Sequence, residues 1–130
     1  MALNCDFRVL ADDARFSMAE VTLGLVPDLG GTKRLAELVG VARALEICVT
    51  GRRISAQEAD RIGLATAVVP GADLSGAVAD LAAATLAGHA GAVAEIKALL
   101  AGAPQRSYAE QDRAEREAQT RRLRDLIGSE

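Results

Sequence analysis

The sequence predicts an α/β fold, with short strands confined to residues 1–70 and helices filling residues 71–130. Three observations carry this reading. Phe7-Arg8-Val9-Leu10-Ala11 alternates as a half-buried strand does. Gly40, Gly51, Gly63 and Gly102 each follow a stretch with helical character, where glycine is the usual stop. From Ser107 to Asp125 the composition turns to charge, with six basic and six acidic residues between Arg106 and Glu130. That balance describes a solvated helix.

Taken in order, residues 1–5 read as the end of a helix, and Asp12-Asp13 turns the first strand back. Ala14-Arg15-Phe16 is a second strand, leading to Glu20. The apolar run after Glu20 stops at Pro27, and Gly30-Gly31 opens a helix over Thr32–Val39. A second helix spans Val41–Thr50. Ser55-Ala56-Gln57-Glu58 is a capping box for a helix reaching Ile62, and Leu64–Val69 is a strand. Asp73 is placed to cap a helix whose Leu74, Val78 and Leu81 share one face. His89 lies between Gly88 and Gly91 as a loop or cap residue. The next helix carries Val93, Ile96, Leu99 and Leu100 and ends at Gly102. In the charged helix, Asp112–Arg116 and Glu117–Arg121 have the favourable acid-first spacing. Tyr108, Leu123, Leu126 and Ile127 form its thin apolar seam.

A chain of 130 residues holds at most one domain and can bury a real core. Phe7, Phe16 and Tyr108 are its only aromatics, so that core is aliphatic and alanine-rich. A formal charge of −3 gives no electrostatic case for nucleic acid or an anionic membrane, and bases would find little to stack on. Cys5 and Cys48 lack metal-ligand spacing, and His89 is the only histidine, so no metal site is expected. Both cysteines stand among apolar residues and are expected to be buried thiols. No signal peptide or long apolar span is visible, and a soluble cytoplasmic protein is the default.

Glu20, read without relatives, is a surface carboxylate at a strand end. Its surroundings say more. Ala14-Arg15-Phe16-Ser17-Met18-Ala19-Glu20 is followed by Gly24-Leu25-Val26-Pro27-Asp28-Leu29-Gly30-Gly31-Thr32-Lys33-Arg34-Leu35. Asn4-Cys5-Asp6-Phe7-Arg8 precedes them; Thr50-Gly51 and Ile54-Ser55-Ala56-Gln57-Glu58-Ala59 come after. In these residues and their order the chain resembles the enoyl-CoA hydratase/isomerase (crotonase) family, closely over the first 70 residues and loosely beyond. The resemblance implies the later turns of a crotonase-like ββα spiral at residues 1–70, followed by a helical C-terminal and oligomerisation region at residues 71–130.

It also implies chemistry. Members of that family bind an acyl-CoA thioester and hold the enolate formed from its carbonyl with two backbone N–H groups. Preorganised donors of this kind are worth on the order of 10²–10³ in rate each. Two glutamates of the hydratases manage water and the proton at the α-carbon, and Glu20 matches the second. Apolar walls such as Val21, Leu23, Leu25 and Val26 are expected to favour its protonated form. Asp28 stands where many hydratases have glycine and some isomerases a proton-shuttling aspartate; it is either catalytic or an N-cap. Leu25, Pro27, Leu29 and Gly30 are the expected acyl-pocket residues. The first glutamate and both oxyanion donors would lie before Met1, so the chain reads as a middle-to-late piece of such a domain. Hydration of a 2-enoyl-CoA is the implied reaction, with isomerisation through Asp28 or a catalytically silent fragment as alternatives. Neither reaction needs a metal or redox cofactor, coenzyme A being part of the substrate. The implied partners are a homotrimer or hexamer, or a complementing N-terminal half.

Overall fold

The computed structural model describes residues 2–128. Among them run β1 (Val9–Ala11), β2 (Arg15–Phe16), α1 (Gly31–Val39), α2 (Val41–Thr50), β3 (Ile54–Ser55) and α3 (Ala56–Arg61). They are followed by β4 (Ala67–Val69), α4 (Leu74–Ala87), α5 (Ala90–Gly102) and α6 (Tyr108–Ile127). Short 3-10 turns at Ala2–Asn4, Glu20–Leu23, Gly71–Asp73 and Ala103–Gln105 link them. The chain divides into two compact units, Met1–Ala79 and Asp80–Glu130.

In the first unit both strand pairs reach across the two long helices. β1 pairs with β4 in parallel, Val9 opposite Ala67, and β2 pairs with β3 antiparallel, Arg15 opposite Ser55. Arg8 pins the first pair: its backbone N–H donates to Thr66 Oγ1 at 3.0 Å and its Nε to the Leu64 carbonyl at 2.5 Å. The strand expected from Leu64 begins at Ala67 instead. Leu64 and Ala65 give their N–H groups to the Ala59 carbonyl at 2.8 and 3.1 Å, closing α3 rather than extending a ladder. Strand β3 was not read from the sequence, because Ser55 serves two elements at once. It pairs with Arg15 and also caps α3, accepting from the Glu58 N–H at 3.2 Å.

Helices α1 and α2 supply the core. Leu35, Ile47, Ile54 and Leu64 are almost fully buried, with Leu3, Met18, Ala44 and Ala59 around them. No aromatic ring takes part in that buried cluster, as the composition implied; Phe16 packs against it from the side. On α2 the inward face is Ala44 and Ile47, whereas Val41, Leu45 and Val49 stand exposed at i, i+4 and i+8.

Glu58 does not complete the expected capping box. Its carboxylate is taken by Arg52, whose Nη1 and Nη2 donate at 2.9 and 2.6 Å, while Nε and Nη2 grip Glu46 at 2.5 and 2.9 Å. One guanidinium thus ties the middle of α2 to the start of α3. These hydrogen bonds hold both carboxyls below their ordinary range and raise Arg52. A carboxylate lowered on folding contributes stability above its unfolded value and loses it as pH falls. We expect acid titration below about pH 5 to destabilise the wild type more than Arg52→Met. Urea midpoints at successive pH values measure this, and parallel curves would contradict it.

In the second unit α6 opens with a full capping box that the sequence reading missed. Ser107 Oγ accepts from the Glu110 N–H, and the Glu110 carboxylate accepts from the Ser107 N–H at 2.7 Å. Asp112 pairs with Arg116 as expected. Arg121 does not pair with Glu117; it reaches α5 and holds Glu95 through two bonds of 2.8 Å. A bidentate grip on another helix outcompetes a single pair along the same one. Ala118 is the buried residue of α6, and the expected seam of Tyr108, Leu123, Leu126 and Ile127 is exposed.

Two smaller expectations, for Asp73 and for the cysteines, are corrected. Asp73 lies inside the 3-10 turn that runs into α4, so it caps no free helix start. His89 stands at the N-cap position of α5, one of the two places expected for it, though its side chain makes no cap bond. Cys5 is exposed rather than buried, Leu3 having taken the inward position of that turn; Cys48 is half-buried. No single helix among the described residues is long and apolar enough to cross a membrane.

Candidate active site

After β2 the chain passes Ser17, buried Met18 and Ala19 before Glu20 opens its 3-10 turn. The sequence placed Glu20 at a strand end, but the backbone turns there. Thr22 closes the bend twice on the Ala19 carbonyl, through its N–H at 3.0 Å and its hydroxyl at 2.7 Å. Leu25 then donates to the Glu20 carbonyl at 3.0 Å. A short polar side chain bonding its own backbone competes with strand pairing.

The turn leaves Glu20 half-buried. Its Oε2 is shut off from solvent and has no hydrogen-bond partner among the described residues. A buried carboxyl oxygen with nothing to bond is costly, and a site awaiting a ligand is one place such a cost is met. Across from it on α2, burial first and then the charge of Glu20 push the Cys48 thiol up. Neither Cys48 nor the neighbouring Gly51 was marked as functional from sequence, since a thiol in an apolar helix and a glycine at its end have ordinary structural explanations.

The other expected site residues lie differently. Leu25, Asp28, Leu29 and Gly30 are exposed, and Pro27 is half-buried. The N-cap of α1 is Gly30, at φ 73°, with no side-chain cap bond, so the capping role considered for Asp28 does not hold. The wall expected around Glu20 is open within this chain: Val21, Leu23, Leu25 and Val26 are 41, 75, 61 and 78% exposed. Cavities of about 410, 590 and 440 Å³ lie between α5 and α6, at the α1–α2 corner and along α6, and Glu20 and Asp28 line none of them. What distinguishes Glu20 in this structure is an unmet carboxyl oxygen, not a formed pocket.

The sequence pattern of the enoyl-CoA hydratase/isomerase family matches residues 1–126. The chain belongs to that family. A short-chain-enoyl-CoA hydratase of Clostridioides difficile is 49% identical over 69 residues, 53% of this chain and 44% of the relative. A structure with CoA bound, named as an enoyl-CoA hydratase of Thermobifida fusca, is 49% identical. It superposes with a TM-score of 0.95 over 97% of this chain and 49% of its own. An enoyl-CoA hydratase from Bacillus anthracis is 38% identical, with a TM-score of 0.87 over 91% of this chain and 46% of that one. The chain thus spans about half the length of the structures it matches. At this likeness the fold is that of the enoyl-CoA hydratase/isomerase family, with the helical region C-terminal.

Proposed function

We propose that this chain serves the hydration of a 2-enoyl-CoA, water adding across the 2,3 double bond of the thioester. The observation that carries the reading is the buried, unpartnered Oε2 of Glu20 in a chain 49% identical to a CoA-bound structure named as a hydratase. Hydration puts the water oxygen on C3 and a proton on C2. Glu20 is the group we assign to that proton, through its unpartnered Oε2. Leu25, Pro27, Leu29 and Gly30 contribute apolar surface to the acyl chain, and Asp28 lies beside it. One water is added in all, the proton it loses making good the one delivered to C2, so the reaction calls for no redox cofactor, and CoA enters as part of the substrate. Relatives named as hydratases favour this over isomerisation through Asp28.

A second reading is favoured by the open wall around Glu20 and by the matched length. Turnover would then need a polypeptide carrying the rest of the fold, joined to this chain or separate from it. In either case residues 1–70 hold the site, while residues 71–130 serve assembly into trimers or pairs of trimers through Leu123, Leu126 and Ile127, all exposed. A cytoplasmic setting suits two free thiols. The test follows loss of enoyl-thioester absorbance on a short 2-enoyl-CoA, with product analysis, for the chain alone and mixed with an N-terminal half from a relative. A 3-hydroxyacyl product in either arm supports hydration. A shifted double bond would give the reaction to Asp28, and no product in both arms would defeat the proposal.

A further inference from the structure

The carboxylate is only as well placed as the turn that bears it, and that turn rests on the end of α2. Gly51 closes α2 in the left-handed conformation, φ 60°. A Cβ built there would come to 3.0 Å from Val21 Cγ1 and 3.1 Å from Thr22 Cγ2, and 3.7 Å from the Ala19 Cα. The residues touched lie on both sides of Glu20. From the opposite direction, Ser17 Oγ donates to the Gly51 carbonyl at 2.9 Å, tying the strand exit to the same peptide. We infer that Gly51 and Ser17 are positioning residues for Glu20. The bare glycine lets the turn close onto α2, and the Ser17 hydroxyl locks it there. The role in turnover rests on the proton-transfer assignment of Glu20; the seat itself does not.

The structure provides its own control. Gly63 also has a positive φ, 76°, but a Cβ there would meet only the Leu38 carbonyl at an ordinary 3.8 Å. Alanine at 63 therefore carries the backbone strain without the collision. A second readout comes from Cys48, three residues before Gly51 on α2, whose thiol is held up in part by the charge of Glu20.

The experiment measures the pH dependence of Cys48 alkylation by iodoacetamide in a Cys5→Ser background, together with kcat and KM for a short 2-enoyl-CoA in the arm that turns over. Glu20→Gln removes the charge and should lower the Cys48 titration. Gly51→Ala should lower it in the same direction by displacing the carboxylate, while Gly63→Ala leaves it in place. In turnover, a displacement of about 1 Å costs on the order of 10²-fold; the crowding at Gly51 calls for a smaller shift, so Gly51→Ala should lower kcat by less than that, with little change in KM. Ser17→Ala should lower kcat less, and Ser17→Thr, which keeps the hydroxyl, should restore it. A Cys48 titration unmoved by Gly51→Ala, or moved equally by Gly63→Ala, overturns the inference. If Glu20→Gln shifts the thiol but spares turnover, the seat stands and the proton-transfer reading is what has failed.

Discussion

Glu20→Gln is expected to lower hydratase turnover by about 10²–10⁴, the usual worth of a positioned proton donor. Glutamine keeps the size and one acceptor oxygen of glutamate, so acyl-CoA binding should change little and the loss should fall on kcat. What it lacks is an exchangeable acidic proton for C2 of the substrate. The buried Oε2 makes the comparison informative, because no side chain among the described residues stands ready to replace it. Asp28→Asn in the same assay should be nearly neutral for hydration, since Asp28 is exposed and caps no helix. Steady-state kinetics on one enoyl-CoA decide both; full turnover by the glutamine variant would end the assignment.

Leu35→Ala is expected to cost about 2–5 kcal/mol of stability. Leu35 is fully buried on α1, inside a cluster whose other large members are Ile47, Ile54, Leu64, Leu3 and Met18. With so few large side chains inside, their remaining neighbours have little freedom to collapse into the space. Against a total near 5–15 kcal/mol, such a loss is a major fraction. Leu45→Ala is the comparison on α2: its side chain is 61% exposed, and a change within about 0.5 kcal/mol is expected. Urea unfolding of the two variants measures the difference. Equal midpoints would mean that the cluster does not hold the unit together.

The sequence was most legible where a local rule decided the outcome. Glycines past α1 and α2 stopped those helices as read, and the alternation at Val9–Ala11 gave a strand. It was least legible where a residue had a choice between local and distant partners. Glu58 abandons its capping box for Arg52, Arg121 abandons Glu117 for Glu95, and Ser55 both pairs and caps. Spacing along the chain cannot weigh a local bond against one from another element. At the site, the family resemblance picked out Glu20, but it carried no sign of the 3-10 turn or of Gly51 beneath it. Nor did it show that Leu23, Leu25 and Val26 would stand open, because hydrophobicity states a preference for burial and not what does the burying.

Each strand pair joins a piece near residue 10 to one beyond the helical hairpin; Arg8 bonds to Thr66 across 58 positions. During synthesis neither ladder has a partner until α1 and α2 have already emerged, so the hairpin can form before either ladder closes. Closing so long a loop is what slows a chain of this size. Until it closes, the early strands present unpaired backbone N–H and C=O groups, the kind of edge that invites pairing with another chain.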